Sequence, residues 1–161
     1  MGEPILSIER WLRTPLGSYM KAWEQAQCDA IVADLFGYHA LQLGLPDLHT
    51  LQTNRMPHRW LAVAHKPGNF ETIPEAETLT PIDFVTDYTA LPFFENSLDL
   101  LVLPHSLELS ADPHATLREA QRVLVPEGKL LIISFNPISL WGFKRWRQPD
   151  FIPEVGELIG N

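Results

Sequence analysis

The hydrophobic pattern of this chain changes its period twice. Residues 5–36 read as helical, with Ile8, Trp11 and Leu12 at helical spacing before Pro15 interrupts. Thr14-Pro15 is a good helix start, because threonine caps well and proline suits the first turn. Beyond it Leu16, Tyr19, Met20, Trp23, Ile31 and Leu35 fall largely along one stripe. Such a stripe predicts a helix packed on a sheet.

From His39 the pattern becomes a series of short apolar runs closed by turn residues. They are HALQLG at 39–44, RWLAVA at 59–64, IDFVT at 82–86, LDLLVLP at 98–104 and KLLIISF at 129–135. The last two are nearly continuous in Leu, Ile and Val, as strands are when both faces are covered in a parallel sheet. Between them Asp112 and Pro113 open a helix whose buried stripe is Leu117, Ala120 and Leu124. Arg118, Glu119 and Arg122 are expected to turn outward, and Pro126 with Gly128 to end the helix. Strand, helix and strand at this spacing form a parallel crossover.

The expected fold is therefore α/β: a Rossmann-like open sheet, mainly parallel, with helices on both faces. It reads as one domain. Residues 1–38 are a helical segment on the sheet, 39–137 the α/β core, and 138–161 a tail or lid. Ligands of such sheets sit outside the carboxyl ends of the strands, near the point where strand order reverses. Gly44, His65, Asp87 and His105 all follow strand ends.

Composition narrows the partners. The chain has 161 residues, 45% of them hydrophobic, a formal net charge of −8 and one cysteine, Cys28. The acidic balance argues against a general nucleic-acid binder, and a single cysteine allows no intrachain disulfide. The first residues do not read as a signal peptide, and no apolar run approaches the roughly 20 residues of a membrane span. A cytoplasmic protein is expected. Homo-oligomers are compatible with the sequence.

The stretch Asp87-Tyr-Thr-Ala-Leu-Pro-Phe-Phe-Glu-Asn-Ser-Leu-Asp99 and the following LVLPHSLELSADPHATLREAQRVLVPEGKLLI carry a resemblance. They resemble the "LPF" segment, fourth strand, helix and fifth strand of class I S-adenosylmethionine-dependent methyltransferases of the type 11 kind. The likeness spans residues 82–137. GYHALQLG and FNPISLWGFKR are similar to a small bacterial branch of that family.

The resemblance implies a cofactor, S-adenosylmethionine, and a role for each matching residue. Asp87 would accept a hydrogen bond from the adenine amino group, since an ionised carboxylate is acceptor-only; its other reading is a turn cap before Leu91-Pro92. Tyr88 would lie against the adenine. Pro104 and His105 would border the transferred methyl, with His105 the candidate base or a strand-end histidine satisfied by the backbone. Glu108 would orient the loop.

The chain also departs from the family. Where the first strand usually ends in an acid and several glycines, Gln42 replaces the acid and only Gly44 remains. Leu45 and Pro46 are expected to narrow the cleft at the methionine arm. Where the second strand usually ends in a ribose-binding acid, His65 and Lys66 stand. Gln42, Gly44 and His65 thus occupy the family's cofactor positions with altered chemistry. After the fifth strand no strand pair is visible, which leaves two readings: this sequence stops short of the family sheet's last two strands, or that edge is missing.

Other chemistry is sparse. The six histidines show no compact metal spacing, so no metal site is expected. No G-x-S-x-G or phosphate-binding glycine loop occurs. Trp141, Phe143, Lys144, Arg145, Trp146 and Arg147 form an aromatic and basic cluster that reads first as an amphipathic helix or lid. The expected function is methyl transfer to a small-molecule acceptor. The alternatives are a non-catalytic methyltransferase-like binding or partner protein with weak cofactor affinity, and a nucleotide-binding oxidoreductase, which the missing G-x-G-x-x-G disfavours.

Overall fold

The computed structural model describes residues 8–64 and 81–135. Two helices, α1 (Ile8–Leu12) and α2 (Pro15–Val32), precede strands β1 (His39–Leu43), β2 (His58–Val63), β3 (Phe84–Val85) and β4 (Leu98–Pro104). A short α3 (Ser106–Leu109), α4 (Pro113–Val123) and β5 (Leu124–Ile133) follow. The strands form one sheet in the order β3-β2-β1-β4-β5, and every pairing is parallel. Strand order reverses between β1 and β4, where a doubly wound sheet opens a crevice.

Alternation along the central strands sends side chains to two cores. Leu41 and Leu43 of β1, with Leu101 and Leu103 of β4, pack with Ala120 and Val123 of α4. Ala40, Leu100 and Val102 point the other way and meet Val32 of α2. Beside them Ile8, Trp11 and Leu12 of α1 join Cys28, Leu45 and Leu48, with Leu131, Ile133 and Phe135 against them. Burial on both faces is why β1 and β4 read as unbroken apolar runs. The starts of β1 and β4 are tied by Asp99, whose Oδ2 accepts the amides of Tyr38 and His39 at 2.8 and 3.0 Å.

Helix α2 starts where expected: the Thr14 hydroxyl accepts the amide of Gly17 at 3.1 Å and Pro15 occupies the first turn. Its buried stripe differs from the apolar one. Gly17, Glu24, Cys28 and Val32 face inward, whereas Tyr19, Trp23 and Ile31 are exposed. The rotation follows from Gly17. A Cβ there would meet the Trp11 carbonyl and lie 2.6 Å from Leu12 Cα, so only glycine lets α1 and α2 approach this closely.

Helix α4 ends earlier than Pro126. Its buried residues are Thr116, Ala120 and Val123, and Leu124 already belongs to β5, paired with Leu98. Residues 138–161, and with them the aromatic and basic cluster at 141–147, lie outside the described residues.

Candidate functional site

The carboxyl end of β1 is built around Gln42. Its Nε2 donates to the carbonyls of Gly44, Leu45 and Leu48 at 2.9, 3.0 and 2.9 Å. Its Oε1 accepts the Thr50 amide at 3.2 Å and the Thr50 hydroxyl at 2.6 Å. An amide has two N–H protons, so three carbonyls share them. Gln42 is buried and its polar atoms are turned inward under the loop. It shapes the rim and does not face it.

This also accounts for the missing acid. The loop turns its carbonyls toward position 42, and a carboxylate there could not donate to them.

Gly44 and Leu45 both have positive φ, 86° and 51°. Leu45 is not β-branched and is held in this left-handed conformation by burial against Ile8, Trp11, Leu12 and Cys28. Its side chain therefore does not narrow the cleft, contrary to expectation, and Pro46 is buried too.

Three strand ends meet above Gly44. A Cβ on Gly44 would lie 2.9 Å from the Tyr88 hydroxyl and 3.3 Å from Ser106 Oγ. The Ser106 hydroxyl in turn donates to the Leu43 carbonyl. The ends of β1, β3 and β4 thus converge on Gly44, whose lack of a Cβ lets the hydroxyls of Tyr88 and Ser106 approach its backbone closely. Asp87, next to Tyr88, is exposed. Its Oδ1 accepts the amide and hydroxyl of Thr89 at 2.8 and 2.7 Å. Those two bonds hold its carboxyl below the usual carboxylate range. Its other oxygen makes no hydrogen bond among the described residues, so Asp87 caps its turn with one oxygen and presents the second. Pro104 ends β4, buried and paired with Ile133. His65 lies outside the described residues.

His105 departs furthest from its expected role. Its exposure is 0%, its φ is 55°, and its amide donates to the Ile133 carbonyl at 2.8 Å. Nε2 lies 2.9 Å from Glu24 Oε1 and Nδ1 lies 3.2 Å from Glu108 Oε2. Burial pulls its pKa down, but hydrogen bonds to Glu108 and Glu24, with their charges, outweigh burial and raise it to about 9. A buried imidazolium locked between two carboxylates is neither open to an acceptor nor free to take its proton near neutral pH. Glu108 orients this turn as expected, and its other oxygen accepts the amide of Phe135.

Helix α4 also carries a clamp that its charge pattern does not announce. Glu119 and Arg122 of α4 do not turn outward. Arg122 donates to the carbonyls of Leu91 and Phe93 at 3.1 and 2.9 Å, and Glu119 accepts the Leu91 amide at 3.2 Å. The two side chains also pair with each other. Their i,i+3 spacing on a helix following Leu91-Pro92-Phe93 was the available signal.

A concavity of about 420 Å³ lies elsewhere, lined by Tyr38, His39, Trp60 and Asp99 at the amino ends of the strands. Open parallel sheets bind ligands at the opposite ends, so the Gly44 rim is the better candidate. Among the described residues no group of three or more His, Cys, Asp or Glu could hold a metal. Among them, too, no helix is long and apolar enough to cross a membrane.

Comparison with known proteins agrees with this architecture. The YafS protein of Escherichia coli is 31% identical over 144 residues, covering 89% of this chain and 55% of YafS. The ubiquinone/menaquinone biosynthesis C-methyltransferase UbiE of Cereibacter sphaeroides is 31% identical over 91 residues, 53% of this chain and 36% of UbiE. The chain thus spans about half or less of the length of these relatives. Among solved structures, the methyltransferase in complex with the Trm112 methyltransferase activator of Haloferax volcanii superposes with a TM-score of 0.56 at 23% identity. That match covers 81% of this chain and 61% of the other. A SAM-dependent methyltransferase of Aquifex aeolicus gives a TM-score of 0.54 at 13% identity, over 81% of this chain and 73% of its own. These two likenesses concern the fold. The methyltransferase domain family itself matches residues 51–132, half of the sequence, and the chain belongs to that family.

Proposed function

We propose that the chain forms the cofactor-binding part of an S-adenosylmethionine-dependent methyltransferase acting on a small-molecule acceptor. The observation that carries this reading is the meeting of Gly44, Tyr88 and Ser106 at the carboxyl rim of the parallel sheet, with Asp87 next to Tyr88 in the chain and one of its oxygens without a hydrogen bond among the described residues. These residues fit a nucleoside with an extended arm. Asp87 would take the adenine amino group and Tyr88 would flank the ring. Gly44, whose missing Cβ lets Tyr88 and Ser106 close in on its backbone, would border the methionine arm near Pro104. When bound, S-adenosylmethionine supplies an electrophilic sulfonium methyl group. The chain's share of the work is then placement, which can lower such a barrier by several kcal/mol (about 7 or more in well-oriented cases).

His105 takes no part in proton removal in this reading. That buried, charged state favours a second reading as well: a binding protein that retains the nucleoside site without turnover.

Calorimetric titration with S-adenosylmethionine and S-adenosylhomocysteine tests the proposal. Micromolar to submillimolar binding is expected, weakened about tenfold or more in Asp87→Ala, the scale of one lost hydrogen bond to a charged group. Equal affinity in the variant removes Asp87 from the site, and no heat with either ligand defeats the proposal. Turnover in a screen of acceptors, begun with carbon nucleophiles because UbiE is a C-methyltransferase, then separates enzyme from binding protein.

A further inference from the structure

Helix α2, the end of β1 and the end of β5 are tied to the turn after β4, and His105 is the hub of that turn. A neutral imidazole has one donor and one acceptor, and two ionised carboxylates only accept. With both carboxylates ionised, the contacts of 2.9 and 3.2 Å to Glu24 and Glu108 are both hydrogen bonds only when the ring donates from both nitrogens. The ring also lies against Phe135, with centroids 4.5 Å apart. Glu24 comes from α2, Glu108 from α3, and Phe135 follows β5. His105 thus joins three elements while holding a left-handed φ of 55° that a non-glycine residue seldom adopts.

The next residue carries this constraint to the rim. Ser106 donates to the Leu43 carbonyl and would sit 3.3 Å from a Cβ on Gly44. Gly44 is fixed from the other side by its amide, 2.7 Å from the Ala62 carbonyl.

We infer that His105 is a positioning residue: by clamping α2 and the end of β5 to the β4–α3 turn, it sets Ser106, and through Ser106 the wall of the cleft at Gly44. The ligand side of this inference rests on the nucleoside reading of the rim. Glu24 belongs to the same device, which is why α2 buries a carboxylate where its sequence offers tryptophan and tyrosine. The expected consequence is asymmetric. The arm of the ligand near Gly44 depends on the clamp, and the adenine end, held by Asp87 on a separate loop, does not.

Two variants test it. His105→Asn tolerates the left-handed backbone but is too short to reach both carboxylates. Glu24→Gln keeps an acceptor for the ring and removes the charge, and it serves if His105→Asn does not fold. Amide hydrogen exchange should quicken at least tenfold at Ser106 and Gly44, while Leu101 in the centre of β4 stays within twofold. S-adenosylmethionine should bind at least tenfold more weakly and adenosine within threefold of wild type. A merely destabilised fold would speed exchange at all three amides and weaken both ligands alike, which overturns the inference. So does unchanged exchange at Gly44 and Ser106. If the wild-type protein binds neither ligand, the nucleoside reading fails, and the exchange pattern alone decides whether His105 positions the turn.

Discussion

The hydroxyl of Thr50 lies 2.6 Å from Oε1 of Gln42, and both groups are fully enclosed. This contact orients the side chain of Gln42, because an amide whose oxygen is committed to Thr50 must present its NH2 to the other side. There it meets the carbonyls of Gly44, Leu45 and Leu48. The pair therefore decides which way the loop after β1 turns.

Gln42→Leu keeps the volume and removes the polar atoms. It strands the Thr50 donors and the loop carbonyls, each unsatisfied group costing about 1–3 kcal/mol, so a loss above about 3 kcal/mol is expected in urea unfolding. Gln42→Glu should show a pH signature. The carboxylate still accepts from Thr50 but faces carbonyls, while its protonated form can donate. Burial raises such a carboxyl's pKa, so the variant should approach wild-type stability at pH 5 and fall away by pH 8. A constant gap across that range would contradict the inward-facing geometry.

Gly17→Ala sets two effects against each other. Helix propensity favours alanine by about 1 kcal/mol. The new Cβ, however, would collide with the Trp11 carbonyl and the Leu12 backbone, and overpacking of this kind costs about 1–3 kcal/mol. Backbone atoms cannot swing aside, so the collision wins and a net loss is expected. A raised melting temperature would show that α1 and α2 are less closely packed.

Arg122→Ala removes two charge-assisted bonds to the Leu91 and Phe93 carbonyls and leaves Glu119 without its pair. Bonds to charged groups are worth about 1.5–3 kcal/mol, so a loss near 2 kcal/mol is expected. Hydrogen exchange should quicken through residues 91–93 before the β4 core is affected. No local change there would mean that the loop is held by packing of Phe93 on Trp60 and Phe84 and not by the clamp.

The strands were legible because β1 and β4 are apolar on both faces, a pattern that needs no partner information. The rotation of α2 was not. Its inward residues Gly17, Glu24 and Cys28 include a glycine chosen for close approach and a charge chosen for His105, and hydrophobicity reports neither. His105 was found as a strand-end residue, read either as a base or as a histidine satisfied by the backbone, and its ring is instead held by two carboxylates. Its partner Glu24 is 81 positions away, beyond any local pattern. The clamp by Glu119 and Arg122 was within reach, since both lie on one helix face beside a recognisable loop, but charge alone suggested solvent. Asp87 was read as either turn cap or ligand acceptor, and its two oxygens leave room for both.

The charge on His105 ties stability to pH in a definite direction. Its pKa is raised from 6.5 to about 9 in the folded protein. Among the described residues, the charged groups bonded to it are Glu24 from α2 and Glu108 from α3. A raised pKa stabilises the fold whenever the unfolded chain would also be protonated, so the contribution is complete below pH 6.5. It is lost as pH climbs through 6.5 to about 9. At roughly 1.4 kcal/mol per pH unit, the gap is worth about 3 kcal/mol. Cys28, whose pKa is raised to about 11 by burial and by the nearby Glu24 and Asp29, titrates above this window and does not blur it. Guanidinium midpoints measured from pH 6 to 9.5 should therefore fall faster with pH for the wild-type protein than for His105→Asn, and the two curves should converge toward the alkaline end. Parallel curves would mean that His105 is neutral when folded, and one of its two carboxylate contacts would then have to be supplied with a proton from Glu24 or Glu108.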